Sequence, residues 1–73
     1  MRPEIIKMVE NDIFKKEQEI HDCERMRACY VEIVQRNPKS NEAQFFRDGI
    51  IYLDVLIKVA TQGIQLLQKE FNL

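Results

Sequence analysis

Three side chains in the first half of the chain have the spacing of a metal site on a helix. Glu17, His21 and Glu24 lie at positions i, i+4 and i+7, which places them on one side of a helix. Such groups can hold a metal ion, and a dimer would double the number of ligands. The Glu-x-x-His spacing of di-iron bundles is absent, however, because residue 18 is Gln. A solvated charged face explains these residues with no further assumption, so we predict no metal site and no cofactor.

The sequence gives little support for catalysis or for phosphate binding. Ser40 has no nearby base in the sequence, and its position before a helical pattern favours a role as a cap. Arg36, Lys39 and Arg47 cluster around a predicted turn, but acidic residues interleave with them, so ordinary solvation of the turn is favoured. Catalysis needs a concave site that limits water, and two helices alone do not form one. We therefore predict that the protein is not an enzyme.

Length and charge narrow the class of protein further. A chain of 73 residues forms one domain at most, and such small domains are marginal unless a staple or a partner completes the core. The formal net charge of −1 argues against nucleic acid as a partner, because nucleic-acid-binding domains usually have a clear basic excess. Cys23 and Cys29 are six residues apart and would point about 120° apart on one helix, so they cannot pair with each other. We expect both to be reduced, semi-buried thiols in a reducing compartment.

The chain divides into two long helical segments. Pro3 can occupy a first helical turn, and nothing breaks the helix before Arg36. Turn-forming residues then gather around Pro38, and either Ser40 or Asn41 can cap a second helix, with Asn41 and Gln44 at capping-box spacing. The predicted fold is an all-α antiparallel hairpin that completes its core with a partner. We place its helices at about 3–36 and about 42–71, joined by a turn at about 37–41.

The second helix has two neighbouring apolar seams. Each seam alternates steps of three and four residues, as in a helix that packs along another helix. We call the first the Ile57 seam; its members are Phe46, Ile50, Leu53, Ile57, Ala60, Ile64, Leu67 and Phe71. We call the second, one residue earlier, the Leu56 seam; its members are Phe45, Gly49, Tyr52, Leu56, Val59, Gly63 and Leu66. The two lie about 100° apart around the helix.

One helix cannot cover both seams. The first helix offers a single candidate seam, which is apolar at its ends and thin in the middle; its members are Ile6, Val9, Ile13, Lys16, Ile20, Cys23, Arg27, Tyr30 and Val34. We expect it to cover the Ile57 seam, because that seam is continuous whereas the other contains Gly49 and Gly63. The Leu56 seam then forms the predicted partner-binding face, and its glycines suggest close approach by a partner. A membrane span is not expected, because Asp54 and Lys58 interrupt the apolar run.

The second helix resembles one known family. Gln44-Phe45 after the turn, Leu53-Asp54, and then Ala60, Gly63 and Ile64 are similar to the pattern in the small co-chaperones of type III secretion needle subunits, the E subunits of the Ysc/Esc type. The resemblance implies a helical hairpin in the bacterial cytoplasm. It also implies that the hairpin binds a larger helical-repeat chaperone, and that the pair holds a needle subunit unpolymerised until export, which makes it a virulence-associated protein-transport factor.

A homodimer is the alternative. The second helix is more apolar than the family pattern requires, which is also consistent with self-association. Two hairpins packed through their Leu56 seams would form a four-helix bundle, and such a bundle could act as a small regulator by protein–protein binding.

Overall fold

Two long helices account for nearly the whole molecule. The computed structural model describes residues 2–73, in which α1 spans Pro3–Arg36 and α2 spans Asn41–Phe71. The helices pack antiparallel along their length, so that the rod measures 55 × 14 × 12 Å. The predicted all-α hairpin is confirmed. Its Cα radius of gyration is 16.5 Å, well above the value of about 11 Å for a compact domain of this length.

The turn is fixed by hydrogen bonds from both helix ends. The amide of Asn37 donates to the carbonyl of Ile33, which closes α1, and the amide of Ser40 donates to the carbonyl of Asn37 at 3.2 Å. The guanidinium of Arg47 reaches back from α2 and donates to the carbonyl of Pro38 at 2.7 Å. These bonds satisfy carbonyl groups that a helix end leaves without a partner, and they hold the two helices side by side.

Ser40, and not Asn41, is the N-cap of α2. The backbone of Ser40 is extended, and its hydroxyl accepts a hydrogen bond from the amide of Ala43 at 3.1 Å. Asn41 is already helical, so the capping box proposed for Asn41 and Gln44 does not form, and the side chain of Gln44 donates to Asp48 instead. Ser40 takes the capping position because its extended backbone lets its hydroxyl reach the amide of Ala43, three residues ahead.

The far end of α2 stops at a left-handed residue. Asn72 has a φ of 55° and a ψ of 44°, and the amide of Leu73 donates to the carbonyl of Gln68 at 2.9 Å. Asparagine tolerates this conformation better than most residues other than glycine, which makes it a suitable end for a helix.

The core consists of one row of side chains from each helix, packed between α1 and α2. Every member of the Ile57 seam is buried or half-buried, and so is every member of the candidate seam of α1. Among the described residues only Val9, Ile13, Ala43 and Leu53 are buried. The structure therefore places the Ile57 seam inside the hairpin, against α1.

Two pairs of side chains make specific contacts between α1 and α2. The ring of Tyr30 packs edge-to-face on Phe46, with centroids 5.0 Å apart. Farther along, the guanidinium of Arg27 donates to the carboxylate of Asp54 at 2.7 Å. Asp54 thus bonds across to α1.

Candidate partner-binding face

The Leu56 seam is the most exposed apolar part of α2. Its large side chains retain a third or more of their accessible surface, with exposed fractions of 69% for Phe45, 63% for Tyr52, 36% for Leu56, 60% for Val59 and 60% for Leu66. These residues follow one another along the helix at steps of three and four, so they form a continuous stripe. A contiguous apolar stripe of this kind is typical of an interaction site.

Gly49 and Gly63 have a role inside the hairpin. A Cβ atom at Gly49 would lie 2.7 Å from Cε2 of Tyr30, which is closer than real contacts allow. At Gly63 a Cβ atom would lie 3.3 Å from Cε of Lys16. The glycines therefore make room for side chains of α1, at the border between the two seams. Their presence does not require the close approach of a partner that we had inferred from the sequence, and their part in partner binding stays a prediction.

A groove runs between the helices on the Leu56 side. Two cavities, of about 510 Å³ and about 360 Å³, lie end to end along it. Both are lined by Cys23 and Leu56, which identifies them as two halves of a single depression. The larger cavity, which we call the wide half of the groove, reaches Gly63. The smaller cavity ends at the aromatic rings of Phe45 and Tyr52.

The rim that α1 contributes to this groove was missed in the sequence. It belongs to a further series with three- and four-residue steps, of which Glu19, Asp22 and Met26 line the two cavities. The whole series comprises Ile5, Met8, Asp12, Lys15, Glu19, Asp22, Met26, Cys29 and Ile33. Its ends are apolar and exposed, whereas its middle is charged. The spacing could have revealed it, but the charged middle concealed the pattern. We call this series the α1 rim.

Most charges near the wide half of the groove are already paired. The ammonium of Lys16 lies 2.9 Å from the carboxylate of Asp12, and Arg25 pairs with Asp22 one turn away. Glu19 also lines the groove, and among residues 2–73 it takes part in no ion pair. Lys15, one turn before Glu19 on the α1 rim, also takes part in no ion pair among the described residues, so Glu19 has a basic neighbour on its own helix.

Sequence reasoning also missed two apolar side chains on the back of α2. Ile51 is 63% exposed and Val55 is 52% exposed. They lie about 120° to 160° around the helix from Ile57, on the side away from the Leu56 groove. Their spacing of four residues is visible in the sequence, but neither of the two predicted seams of α2 includes them.

The other candidate residues do not come together as a site. Glu17, His21 and Glu24 are all exposed, and the part of the chain that is described contains no cluster of three metal-ligating side chains. Arg36 pairs with Glu32 at 2.6 Å, and Arg47 bonds to the turn. Arg36 and Arg47 are thus engaged within the fold.

The cysteines differ from each other in their surroundings. Cys23 is half-buried in the groove, whereas Cys29 is exposed, so only Cys23 has the semi-buried position expected for both. Both thiols are free in the structure.

By length and composition, α2 meets the requirements for a membrane-spanning helix. Its most apolar stretch is only 6% buried within the hairpin. A single helix of this kind is weak evidence for a span, and the absence of a span stays a prediction.

Comparisons with known proteins add no relative. No protein-family model matches the chain, and neither a curated protein nor a solved structure does.

Proposed function

We propose that the protein is a non-enzymatic adaptor or co-chaperone that docks α2 against the concave surface of a larger helical protein. The observation that carries this proposal is the width of the exposed apolar surface on α2. From Leu56 around the back of the helix to Ile51, this surface spans an arc of about 140°. Between Asp48 and Gln62 every residue on the arc is apolar or is Tyr52.

The width of the arc distinguishes between kinds of partner. In a four-helix bundle each helix contacts two neighbours about 90° apart, so the Ile57 and Leu56 seams would be enough. Ile51 and Val55 would then remain in water, although they are more than half exposed. A curved array of helices can surround α2 on the groove side and on the back together, as the concave faces of helical-repeat proteins do.

The total accessible surface is also consistent with a missing partner. The hairpin exposes 5967 Å², whereas a compact monomer of this mass exposes about 4,700 Å². The difference is larger than the roughly 800 Å² that each partner buries in a typical stable interface. The elongated two-helix rod thus exposes enough surface for a partner to dock while α1 and α2 stay packed on each other.

The resemblance of α2 to the co-chaperones of type III secretion needle subunits gives this proposal its most specific form. In that form the partner is a larger helical-repeat chaperone in the bacterial cytoplasm, and the pair keeps a needle subunit unpolymerised. The exposed seam and the back of α2 supply the binding surface that such a role requires.

Insertion of α2 into a membrane is less consistent with the hairpin. To span a bilayer, α2 would have to leave α1 or carry α1 with it, and α1 bears charges along most of its length. Separation would also break the Arg27–Asp54 ion pair and expose the Ile57 seam. We therefore propose that the chain acts without spanning a membrane.

Co-expression tests the proposal directly. The chain would be produced with a type III needle subunit and its helical-repeat chaperone, and the mass of the purified complex would be measured by light scattering. We expect a complex that contains one copy of the hairpin, and we expect Val55→Asp to abolish it. Gln65→Asp, which introduces the same charge at an exposed polar position outside the apolar arc, should leave the complex intact. A monomeric hairpin that elutes apart from the other two proteins would refute the proposal.

A further inference from the structure

We infer that the free chain forms a homodimer, in which the groove face of one copy packs antiparallel on the groove face of the other. The two-fold axis is perpendicular to the helices and crosses α1 at the height of Glu17. This inference goes beyond the proposed function, because it describes the chain before it meets its partner. It follows from the α1 rim, whose residue types are self-complementary about that height, and from the register that the axis imposes on α2.

The charged middle of the α1 rim supplies the first argument. Lys15 and Glu19 are both exposed, and neither takes part in an ion pair among residues 2–73. A two-fold axis halfway between them places Lys15 of each copy opposite Glu19 of the other, so the same contact is made twice. Within one helix a lysine that precedes a glutamate by four residues is the weaker orientation of such a pair. Contacts between the copies therefore use both charges better than a contact within α1.

The apolar ends of the α1 rim match in the same register. Met8 of each copy lies opposite Met26 of the other, and Ile5 lies opposite Cys29. In the single hairpin Met8 is 71% exposed and Met26 is 47% exposed. The dimer thus covers apolar side chains with apolar side chains at both ends of the rim, which is favourable.

One contact between like charges remains in this register. Asp12 lies opposite Asp22 of the second copy, but each already has a basic partner on its own helix, Lys16 for Asp12 and Arg25 for Asp22. Moving one copy by a heptad is worse, because Glu19 then lies opposite Asp22 in one direction and opposite an apolar side chain in the other. The types of the rim residues thus favour one register over its neighbours.

The contacts within the hairpin decide where the same axis crosses α2. Lys16 lies against Gly63, since a Cβ atom at Gly63 would be 3.3 Å from Cε of Lys16. An axis at the height of Glu17 therefore reaches α2 within about one residue of Thr61, which is about 1.5 Å along the helix. This position is fixed by packing inside the hairpin, so the pattern of α2 provides a separate test of the axis.

The Leu56 seam is self-complementary about Thr61. An axis at this residue places Leu56 of each copy opposite Leu66 of the other, and Val59 opposite Gly63, where the missing side chain leaves room for it. Val59 and Leu66 are each 60% exposed in the single hairpin. Both helices thus favour the same two-fold axis, as an interface between identical copies requires.

The area of this interface is sufficient for a stable dimer. In this register α1 overlaps its counterpart over about 40 Å and α2 overlaps its counterpart over about 30 Å. With strips about 10 Å wide, the two helices cover about 700 Å² on each copy. That is close to the roughly 800 Å² that each partner buries in a typical stable interface.

The dimer leaves the back of α2 accessible. Ile51 and Val55 lie on the side away from the groove, and both are more than half exposed. The larger helical protein of the proposed function can therefore contact them first, and it then displaces the second copy from the Leu56 seam. The dimer and the complex with the chaperone exclude each other, because both cover the groove face.

Charge-swap variants test the register. The dissociation constant of the dimer would be measured by analytical ultracentrifugation of the full chain, with circular dichroism to verify that each variant is helical. We expect Lys15→Glu and Glu19→Lys each to raise this constant by at least about fivefold, because each replaces two opposite-charge contacts by two like-charge contacts. The double variant, which inverts the pair, should restore it to within about twofold. Glu24→Lys, on the opposite side of α1, is the control and should leave it unchanged.

A disulfide tests the register independently of charge. In a Cys23→Ala chain, Ile5→Cys would lie opposite Cys29 of the second copy, whereas within one copy the two positions are about 36 Å apart along α1. We expect mild oxidation to give a covalent dimer of this variant, and none when Glu10→Cys, on the opposite side of α1, takes the place of Ile5→Cys.

Four results would overturn the inference. They are a chain that stays monomeric at all concentrations, a dimer that neither single charge variant weakens, a double variant that does not recover, and equal oxidation of the two cysteine variants. The co-expression experiment above does not depend on the dimer. A complex with the chaperone would therefore leave the proposed function standing if the dimer failed.

Discussion

At the scale of single residues, the two glycines of α2 show how the hairpin closes. Gly49 receives the ring of Tyr30, which is also held by Phe46 on its other side. Gly63 receives the aliphatic part of Lys16, whose ammonium is tied to Asp12. An aromatic ring packed on two sides cannot move aside easily, whereas a lysine side chain can change rotamer.

The glycines should therefore respond in opposite ways to the same substitution. Gly63→Ala should raise the free energy of unfolding by up to about 1 kcal/mol, because alanine is the better helix former and Lys16 can yield. Gly49→Ala should lower it by about 1 kcal/mol, because overpacking against Tyr30 outweighs the gain in helix propensity. Urea unfolding followed by circular dichroism measures both values. Equal stabilisation by the two substitutions would contradict the tight packing at Gly49.

At the scale of the helices, α2 begins at a specific cap and presents two different faces. The cap is a single hydroxyl, that of Ser40, which satisfies one of the free amides of the first turn. Beyond the cap, residues that are adjacent in the sequence point to different faces of α2. Ile57 lies against α1, whereas Leu56 lies at the groove.

Removal of the cap should weaken the whole hairpin. We expect Ser40→Ala to cost about 1 kcal/mol of stability, because the amide of Ala43 loses the hydroxyl of Ser40 as an acceptor and keeps only the carbonyl of the same residue. Asn41→Ala serves as the control and should cost much less, because Asn41 is exposed and makes no cap. Thermal unfolding of both variants distinguishes them. A larger loss for Asn41→Ala would mean that the helix begins one residue later in solution.

The two seams should separate folding from binding. Ile57→Asp introduces a charge between the helices and should unfold the isolated chain, because the carboxylate has no partner there. Leu56→Asp places the same charge at the groove and should leave the helical circular dichroism signal unchanged while it abolishes association with the chaperone. Co-purification with the chaperone completes the comparison. If both variants unfold equally, the two faces of α2 are not independent.

At the scale of the whole molecule, the hairpin is long and thinly packed. Of the described residues, only the four named above are buried, and the Tyr30 and Arg27 contacts connect the two helices. A small apolar core provides little stability against the entropy of ordering the chain. We therefore expect the binding of a partner to add to the stability of the folded hairpin.

The melting temperature of the chain should rise strongly in the complex. At a partner concentration of about 100 times the Kd, binding adds about 2.7 kcal/mol to the free energy of unfolding. For a domain of this size that corresponds to an increase of about 10–20 °C. Calorimetry of the hairpin alone and with the chaperone measures the change, and Leu56→Asp provides the control that should show no increase. An unchanged melting temperature in a verified complex would mean that binding does not stabilise the hairpin fold.

The two helices, the turn and the inner seam could be predicted from the order of the residues. These depend on local signals and on the repeat of large apolar residues from Phe46 to Phe71, which is visible in the sequence. The choice of Ser40 over Asn41 as the cap depends on the backbone of the turn, which the sequence left open. The ring of Tyr30 over Gly49 and the Arg27–Asp54 bond depend on the rotation and height of one helix relative to the other. Helical periodicity fixes which residues share a face, but it leaves that rotation and that height free until the side chains pack.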